Sequence, residues 1–333
     1  MDKVDRRHWL KGLGASWLLA SCSRNSETRE SQQSRAKEPD LSQHHVWSGI
    51  GFGIEMSMEL YGVDTEAGEA YGLLLEEVIA GYEAAFSFYS EYSEVNRLNR
   101  ERKLEESSEL FRSVVKKARL LEGRTLGYFE PGIQGWLKYI SDGGSEGDGE
   151  WLAFTHGARM ENLKLMPGGA FEILDENFGL NLNAIVQGCL ADSMADILRK
   201  DKVPSGILHL GETYALGGHP EDRPWKLGVM GREDLVGYVE LQDAGLAVSR
   251  TGKDRDLLDP VHARLVRNDR VVAVISGEGA ATADAFATAY AVADKEDWEN
   301  LYENLAKSEA ASVKLWEDGA LVFERQAKLK SER

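Results

Sequence analysis

Apolar residues alternate with polar ones over residues 52–61, where Ile54, Met56, Met58 and Leu60 share one side of an extended chain, and this predicts a strand. Over residues 71–88 the spacing changes to that of a helix, with Leu74, Leu75, Val78, Ile79, Tyr82 and Phe86 on one stripe. A second helix is expected over 110–121, with Gly123 placed to stop it. Residues 141–150 are rich in Gly, Asp and Ser and predict a loop. Two short strand-like pieces flank Asp175-Glu176-Asn177 within 171–182, and residues 185–199 are helical by spacing. Alternation predicts strands over 206–214, 225–230 and 236–241, and a β-branched run predicts one over 271–276. Residues 282–293 are small and apolar, as in a tightly packed helix, and 298–306 predict another. Asp318-Gly319 joins two apolar runs, 313–317 and 320–324, in a hairpin pattern. Strands and helices interleave without a regular βαβ beat, so the expected class is α+β with mostly antiparallel sheets.

The first 45 residues carry no core pattern. Arg6-Arg7 followed by His8-Trp9-Leu10-Lys11 resembles the twin-arginine export signal, and the weakly apolar stretch 12–20 is too short to span a bilayer, which takes ~20 residues. Leu19-Ala20-Ser21-Cys22 resembles the lipobox of bacterial lipoproteins, with Cys22 as the site of lipid attachment. Residues 1–21 are therefore read as a signal, and Cys22 as the anchor of an envelope protein facing the periplasm or the cell surface. Lipid anchoring draws ~0.8 kcal/mol per buried methylene, so more than one chain holds a protein firmly. Residues 22–45 are polar and charged and read as a flexible tether. Residues 46–333 are long enough for one large domain or two fused lobes, and are read as one domain.

Charge and cysteines narrow the function classes. The chain has 56 acidic and 39 basic residues, a formal charge of −17, which argues against phosphate-directed binding of nucleic acid. With Cys22 taken by lipid, Cys189 stands alone and no internal disulfide is available; its apolar flanks suit a small buried hydrophobe better than a nucleophile.

Four segments, in order, carry a family resemblance. They are Phe86-Ser87-Phe88-Tyr89 with Ser93-Glu94-Val95-Asn96-Arg97-Leu98-Asn99; Gly127-Tyr128-Phe129-Glu130-Pro131; Leu182-Asn183-Ala184-Ile185-Val186-Gln187-Gly188 with Ala191-Asp192; and Ala283-Asp284-Ala285-Phe286-Ala287-Thr288-Ala289. Weaker matches are His209-Leu210-Gly211-Glu212-Thr213 with Pro224-Trp225, Ala247-Val248-Ser249, and Leu257-Leu258-Asp259-Pro260. Together they resemble the ApbE-like FAD:protein FMN transferases, a T-fold-related family. That resemblance implies Mg²⁺-dependent cleavage of FAD, release of AMP, and transfer of FMN to a Thr or Ser of a partner protein. It implies Asp284, Thr288 and the Ala184 carbonyl as Mg²⁺ ligands, and Ser93, Glu94, Asn99, Asp192 and Gly211 as groups that hold the flavin nucleotide. The residues by themselves leave simpler roles open: Asp284 complementing a helix N-terminus with Thr288 packed, Ser93 and Glu94 in a cap and turn, Asp192 as a solvated helical carboxylate, Gly211 as a strand bulge.

The chain also departs from the family pattern. Gln187 stands at the family Lys position, so no catalytic residue is assigned there and a phosphate-directed charge is missing. Phe52-Gly53-Ile54 replaces M-G-T, Glu212 and Thr213 replace the second Gly and the Asp of G-G-D, and Arg255 or Asp256 stands where the family has His before I-L-D-P. The T-G after that element is replaced around His262-Ala263. These changes keep two other readings in view: a catalytically weak FAD-binding lipoprotein, and a surface binding module that kept only the scaffold.

Overall fold

The computed structural model describes residues 40–252 and 257–327. The signal, Cys22, most of the tether, Arg255 and Asp256 lie outside the described residues. The chain enters through strand β1 (His44–Gly51), which starts two residues inside the expected tether, and β2 (Ile54–Tyr61). The single strand predicted from residue 52 is the second arm of this hairpin. Phe52 and Gly53 form its two-residue turn, both at positive φ (52° and 76°), as a turn matched to strand twist requires. Helices α1 (Thr65–Phe86) and α2 (Glu94–Glu101) follow, then β3 (Lys103–Leu104) and α3 (Glu109–Arg124). Gly123 does not stop α3: the helix ends at Thr125, whose N–H and hydroxyl both donate to the Leu121 carbonyl, and left-handed Leu126 and Gly127 turn the chain.

A small layer comes next: α4 (Gln134–Ser141), α5 (Trp151–Gly157), β4 (Leu163–Leu165) and β5 (Phe171–Ile173). The second strand-like piece expected before residue 182 has no ladder, only a parallel bridge from Ile133 to Gly179. Then come α6 (Asn183–Lys200), β6 (Ser205–Leu210) and β7 (Glu212–Leu216). The strand predicted over 206–214 is thus two strands that fold back on each other. Gly211, at φ 93°, is the turn, with Leu210 paired to Glu212. The chain closes with β8 (Trp225–Met230), β9 (Leu235–Leu241), β10 (Ala244–Arg250), β11 (Leu257–Asp259), β12 (Arg264–Val266), β13 (Arg270–Ser276), α7 (Ala280–Val292), α8 (Trp298–Leu305), β14 (Ser312–Glu317) and β15 (Ala320–Gln326).

Eight strands make one sheet in the order β1-β2-β6-β7-β10-β13-β14-β15, and every neighbouring pair is antiparallel. The α+β expectation with antiparallel sheets holds. Strand β13 explains why its sequence is apolar throughout rather than alternating. Val272 and Val274 join the main core with α1, α3, α6, α7 and α8, while Val271, Ala273 and Ile275 join a second core with Trp225, Val229 and Val239 of the β8–β9 hairpin. Both faces are covered at the sheet centre, so neither register position meets water.

The close fit around α7 positions the site. Its alanines are fully buried, and the helix has no polar face. Gly188 of α6 lies so close that an added Cβ would sit 2.5 Å from the backbone N and Cα of Ala281. From the sheet side, a Cβ on Gly245 would sit 2.0 Å from the Ala280 nitrogen. Asp192 of α6 caps the same helix: its carboxylate accepts N–H bonds from Ala280 (2.6 Å) and Ala281 (3.2 Å) and pairs with Lys117 at 3.0 Å. The last turn of this contact is backbone against backbone, which cannot move aside as a flexible side chain can. Gly188→Ala is therefore expected to cost about 1–3 kcal/mol through overpacking. Chemical denaturation of the variant should show a lower midpoint at unchanged slope; an unchanged midpoint would contradict this packing.

Candidate active site

Two helices and two strands converge on one cavity of about 340 Å³. Thr288 reaches it from α7, Ala184 from the first turn of α6, Glu212 from the start of β7, and Ser249 and Arg250 from β10. The opposite wall is Tyr128, Phe129 and Glu130, closed by Leu258 and Pro260. Asp284 lies one turn before Thr288 on the same face of α7 and is 6 % exposed, beneath the wall rather than on it. Ala184 departs from helical geometry, at φ −83° and ψ 15°. A ψ so far from the helical value of about −42° turns its carbonyl away from the helix axis. The structure thus brings Ala184 and Thr288, far apart in sequence, to one cavity, with Asp284 one helical turn before Thr288.

The electrostatics of this corner are unusual. Burial pushes the Asp284 carboxyl well above its ordinary range. Burial does the same to Glu212, the Asp284 charge adds to it, and the Val248 N–H partly offsets both. Among the described residues no Lys, Arg or His pairs with either carboxylate within ion-pair distance. Two desolvated acids near enough to interact, without a base, call for a proton or a cation. Among the described residues there is no cluster of three or more His, Cys, Asp or Glu able to hold a metal by side chains of those types alone. A carboxylate, a hydroxyl and a backbone carbonyl are instead a mixed, all-oxygen donor set. That set fits a hard cation such as Mg²⁺ and does not suit zinc or copper.

Glu130 is the residue that sequence reasoning passed over. Its Oε1 accepts the Gly132 N–H at 2.9 Å, but Oε2 is buried with no hydrogen bond, the nearest cation being Arg159 at 3.8 Å. Burial first, and then the Glu122 charge, raise its carboxyl to about 8. The signal is the carboxylate within Gly127-Tyr128-Phe129-Glu130-Pro131, the second of the resembling segments. Nearby, Asp259 organises the loop after β11: it accepts the Val261 and His262 N–H groups at 3.0 and 3.1 Å and holds Arg264 at 3.0 Å. Its role there is to set the position of Pro260 on the wall.

The other candidates from the sequence have different partners. Ser93 caps α2, its hydroxyl accepting the Asn96 N–H at 3.3 Å, and Glu94 accepts the Ser108 N–H at 2.9 Å. Asn99 pins both backbone groups of Leu180, donating at 2.9 Å and accepting at 2.7 Å. It also lines a second cavity of about 640 Å³ with Gln134 and Lys138. Asp192 anchors α7 as described. Gly211 faces Gln187, whose side-chain amide carbon would sit 2.4 Å from a Cβ there. None of Ser93, Glu94, Asn99, Asp192, Gly211 or Gln187 lines the cavity at Thr288. Cys189 is buried, with its thiol pushed up to about 12 by desolvation, as expected for a packing residue.

With this geometry in hand, comparison places the chain. The ApbE family model matches residues 52–312, so the chain belongs to the ApbE family. Its fold is that of several solved structures. The ApbE protein of Thermotoga maritima aligns at a TM-score of 0.72 with 20% identity, covering 86% of this chain and 97% of that one. The flavinyl transferase ApbE of Pseudomonas stutzeri, in its apo form, aligns at 0.69 with 20% identity, covering 86% and 95%. The flavin transferase ApbE of Vibrio cholerae aligns at 0.69 with 19% identity, covering 86% and 97%. No curated protein matches the chain.

The raised Glu130 carboxyl has a consequence for stability. The folded protein holds a proton on it up to about pH 8, whereas an unfolded Glu releases it near 4.3. The folded state binds the extra proton between those values, so stability falls as pH rises through that window and levels off above it. Glu130→Gln removes this share. Its melting temperature is expected to fall less than that of the wild type between pH 5 and 8; parallel melting curves would show that Glu130 is not buried in this way.

Proposed function

We propose that this protein is an FAD:protein FMN transferase, dependent on Mg²⁺, that passes FMN to a Thr or Ser hydroxyl of a partner protein and releases AMP. The observation that carries the reading is that Ala184 and Thr288 line one cavity, with Asp284 buried one helical turn before Thr288, in a chain of this family. Asp284, Thr288 and the Ala184 carbonyl would hold the cation, which when bound neutralises diphosphate charge and stabilises the departing AMP. A cavity of about 340 Å³ suits one half of a dinucleotide, at the small end of ligand sites. Arg250 on its wall supplies a positive charge toward phosphate. The transfer breaks the bond to AMP, forms the new phosphoester, and frees the proton of the attacking hydroxyl. Glu130, on the same wall with Oε2 outside any hydrogen bond, is suited to take that proton once its raised carboxyl is ionised, toward pH 8 and above. Export by the twin-arginine route and a lipid on Cys22 would hold the domain on the membrane, facing the periplasm or the cell surface.

A second reading has one observation in its favour. Gln187, at the family Lys position, packs against Gly211 and not at the cavity, and among the described lining residues Arg250 is the only base. A protein with so little positive charge at its diphosphate site could bind FAD and transfer it poorly.

Both readings are separated by incubating the mature protein with FAD, Mg²⁺ and a peptide carrying an Asp/Ser-Gly-Ala-Thr acceptor. The transferase adds the mass of FMN to the peptide and releases one AMP for each. Asp284→Ala should abolish both while the melting curve stays cooperative. FAD-induced stabilisation without AMP would favour the weak binder, and neither response would retire both readings. In cells, Cys22→Ser is expected to move the protein from the detergent-requiring fraction to the soluble one; unchanged partition would remove the lipid anchor.

A further inference from the structure

The carboxylate that the family pattern lacks stands on the cavity wall. Glu212 occupies the position of the second glycine in L-G-G-D, immediately after the Gly211 turn. The turn is rigid: Gly211 is left-handed and wedged against Gln187, and Leu210 and Glu212 pair across it. Glu212 is therefore delivered to a fixed place, and that place shares a cavity with Ala184 and Thr288. Asp284 is buried and forms no ion pair among the described residues; its charge joins burial in raising the part-buried Glu212 carboxyl, and the Val248 N–H works against that rise. A surface glutamate would turn to water or to an arginine. This one stands on the wall of the cavity that Thr288 and Ala184 also line, with Asp284 beneath that wall.

We propose that Glu212 is a second carboxylate ligand of the divalent cation, so that this protein binds the metal before the dinucleotide arrives. The inference rests on the metal-site reading given above and deepens it. One carboxylate leaves a divalent ion half neutralised, and such a site depends on substrate phosphates to complete it. Two carboxylates neutralise the ion in full. With Thr288 and Ala184 they make four oxygen donors, leaving two of the six positions of an octahedral Mg²⁺ for water or phosphate. The two acids repel each other without metal and are relieved by it, so affinity for the bare ion rises at the expense of stability in the metal-free protein.

The test uses the mature protein with MgCl₂ alone, without FAD, read by titration calorimetry and by thermal melting at pH 8. Wild type is expected to bind Mg²⁺ and to melt higher with it. Glu212→Gln should weaken Mg²⁺ binding at least ten-fold, yet melt higher than wild type in the absence of metal, because one of two opposed charges is gone. That pair of opposite effects is not produced by a merely structural role, which would lower stability in both conditions. Glu212→Asp keeps the charge on a shorter stem and should fall between the two; it also serves if Glu212→Gln does not fold. Asp284→Asn separates the two claims. If Asp284→Asn loses Mg²⁺ binding and Glu212→Gln keeps wild-type affinity, Glu212 is not a ligand and the metal site stands without it. If neither variant loses affinity, the metal lies elsewhere and the reading of the site falls with this one.

Discussion

The structure depends on the close approach of α7 to α6 on one side and to β10 on the other. Alanines along α7 and glycines at 188 and 245 remove the side chains that would separate these backbones. Contact at this distance gives dense dispersion and a fixed mutual position, with almost no rotameric freedom left to absorb an error. The helix therefore carries Thr288 to the cavity, and Asp284 beneath it, with little latitude. Asp192 and Lys117 complete the arrangement from α6 and α3, since the first N–H groups of a fully buried helix have no water to turn to.

What the rigid frame holds in place is electrostatically uncomfortable. Asp284, Glu212 and Glu130 are all held in surroundings that disfavour their charged forms. In a protein selected only for stability such groups would be replaced by apolar ones, because an unpaired buried acid costs several times what a buried methylene contributes. Their coincidence around one cavity is the ordinary mark of a site whose balance is restored by something bound there. The same frame accounts for why several polar residues of the resembling motifs are not at the cavity. Ser93, Glu94 and Asn99 satisfy backbone groups that the fold leaves without partners, Asn99 by clamping the chain at Leu180 just before α6 begins.

The sequence was most legible where a single period ran without interruption. The 298–306 helix and strand β8 emerge with nearly their observed bounds because each buries one face or one alternate set of residues, and the 313–324 hairpin does so because Asp318-Gly319 marks its turn. It was least legible at reversals. Residues 206–214 alternate evenly, yet Gly211 folds them back into two strands, since alternation records which side a residue faces and not which direction the chain runs. Gly123 looked like a helix stop, but a stop needs the residue after it to enter the left-handed region, and that task fell to Leu126 and Gly127.

By itself the sequence determined the α+β class, the buried character of α7 and the pairing of Asp284 with Thr288 one helical turn apart, because periodicity and local spacing are properties of neighbouring residues. Only the tertiary structure decided that Ala184 and Glu212 line the cavity with Thr288, that Asp192 serves a helix end, and that Glu130 stands on the same cavity wall with one oxygen outside any hydrogen bond. Those facts depend on burial and on distances between segments far apart in the chain. Desolvation, which sets the charge of each carboxyl, does not exist until the core has closed around it.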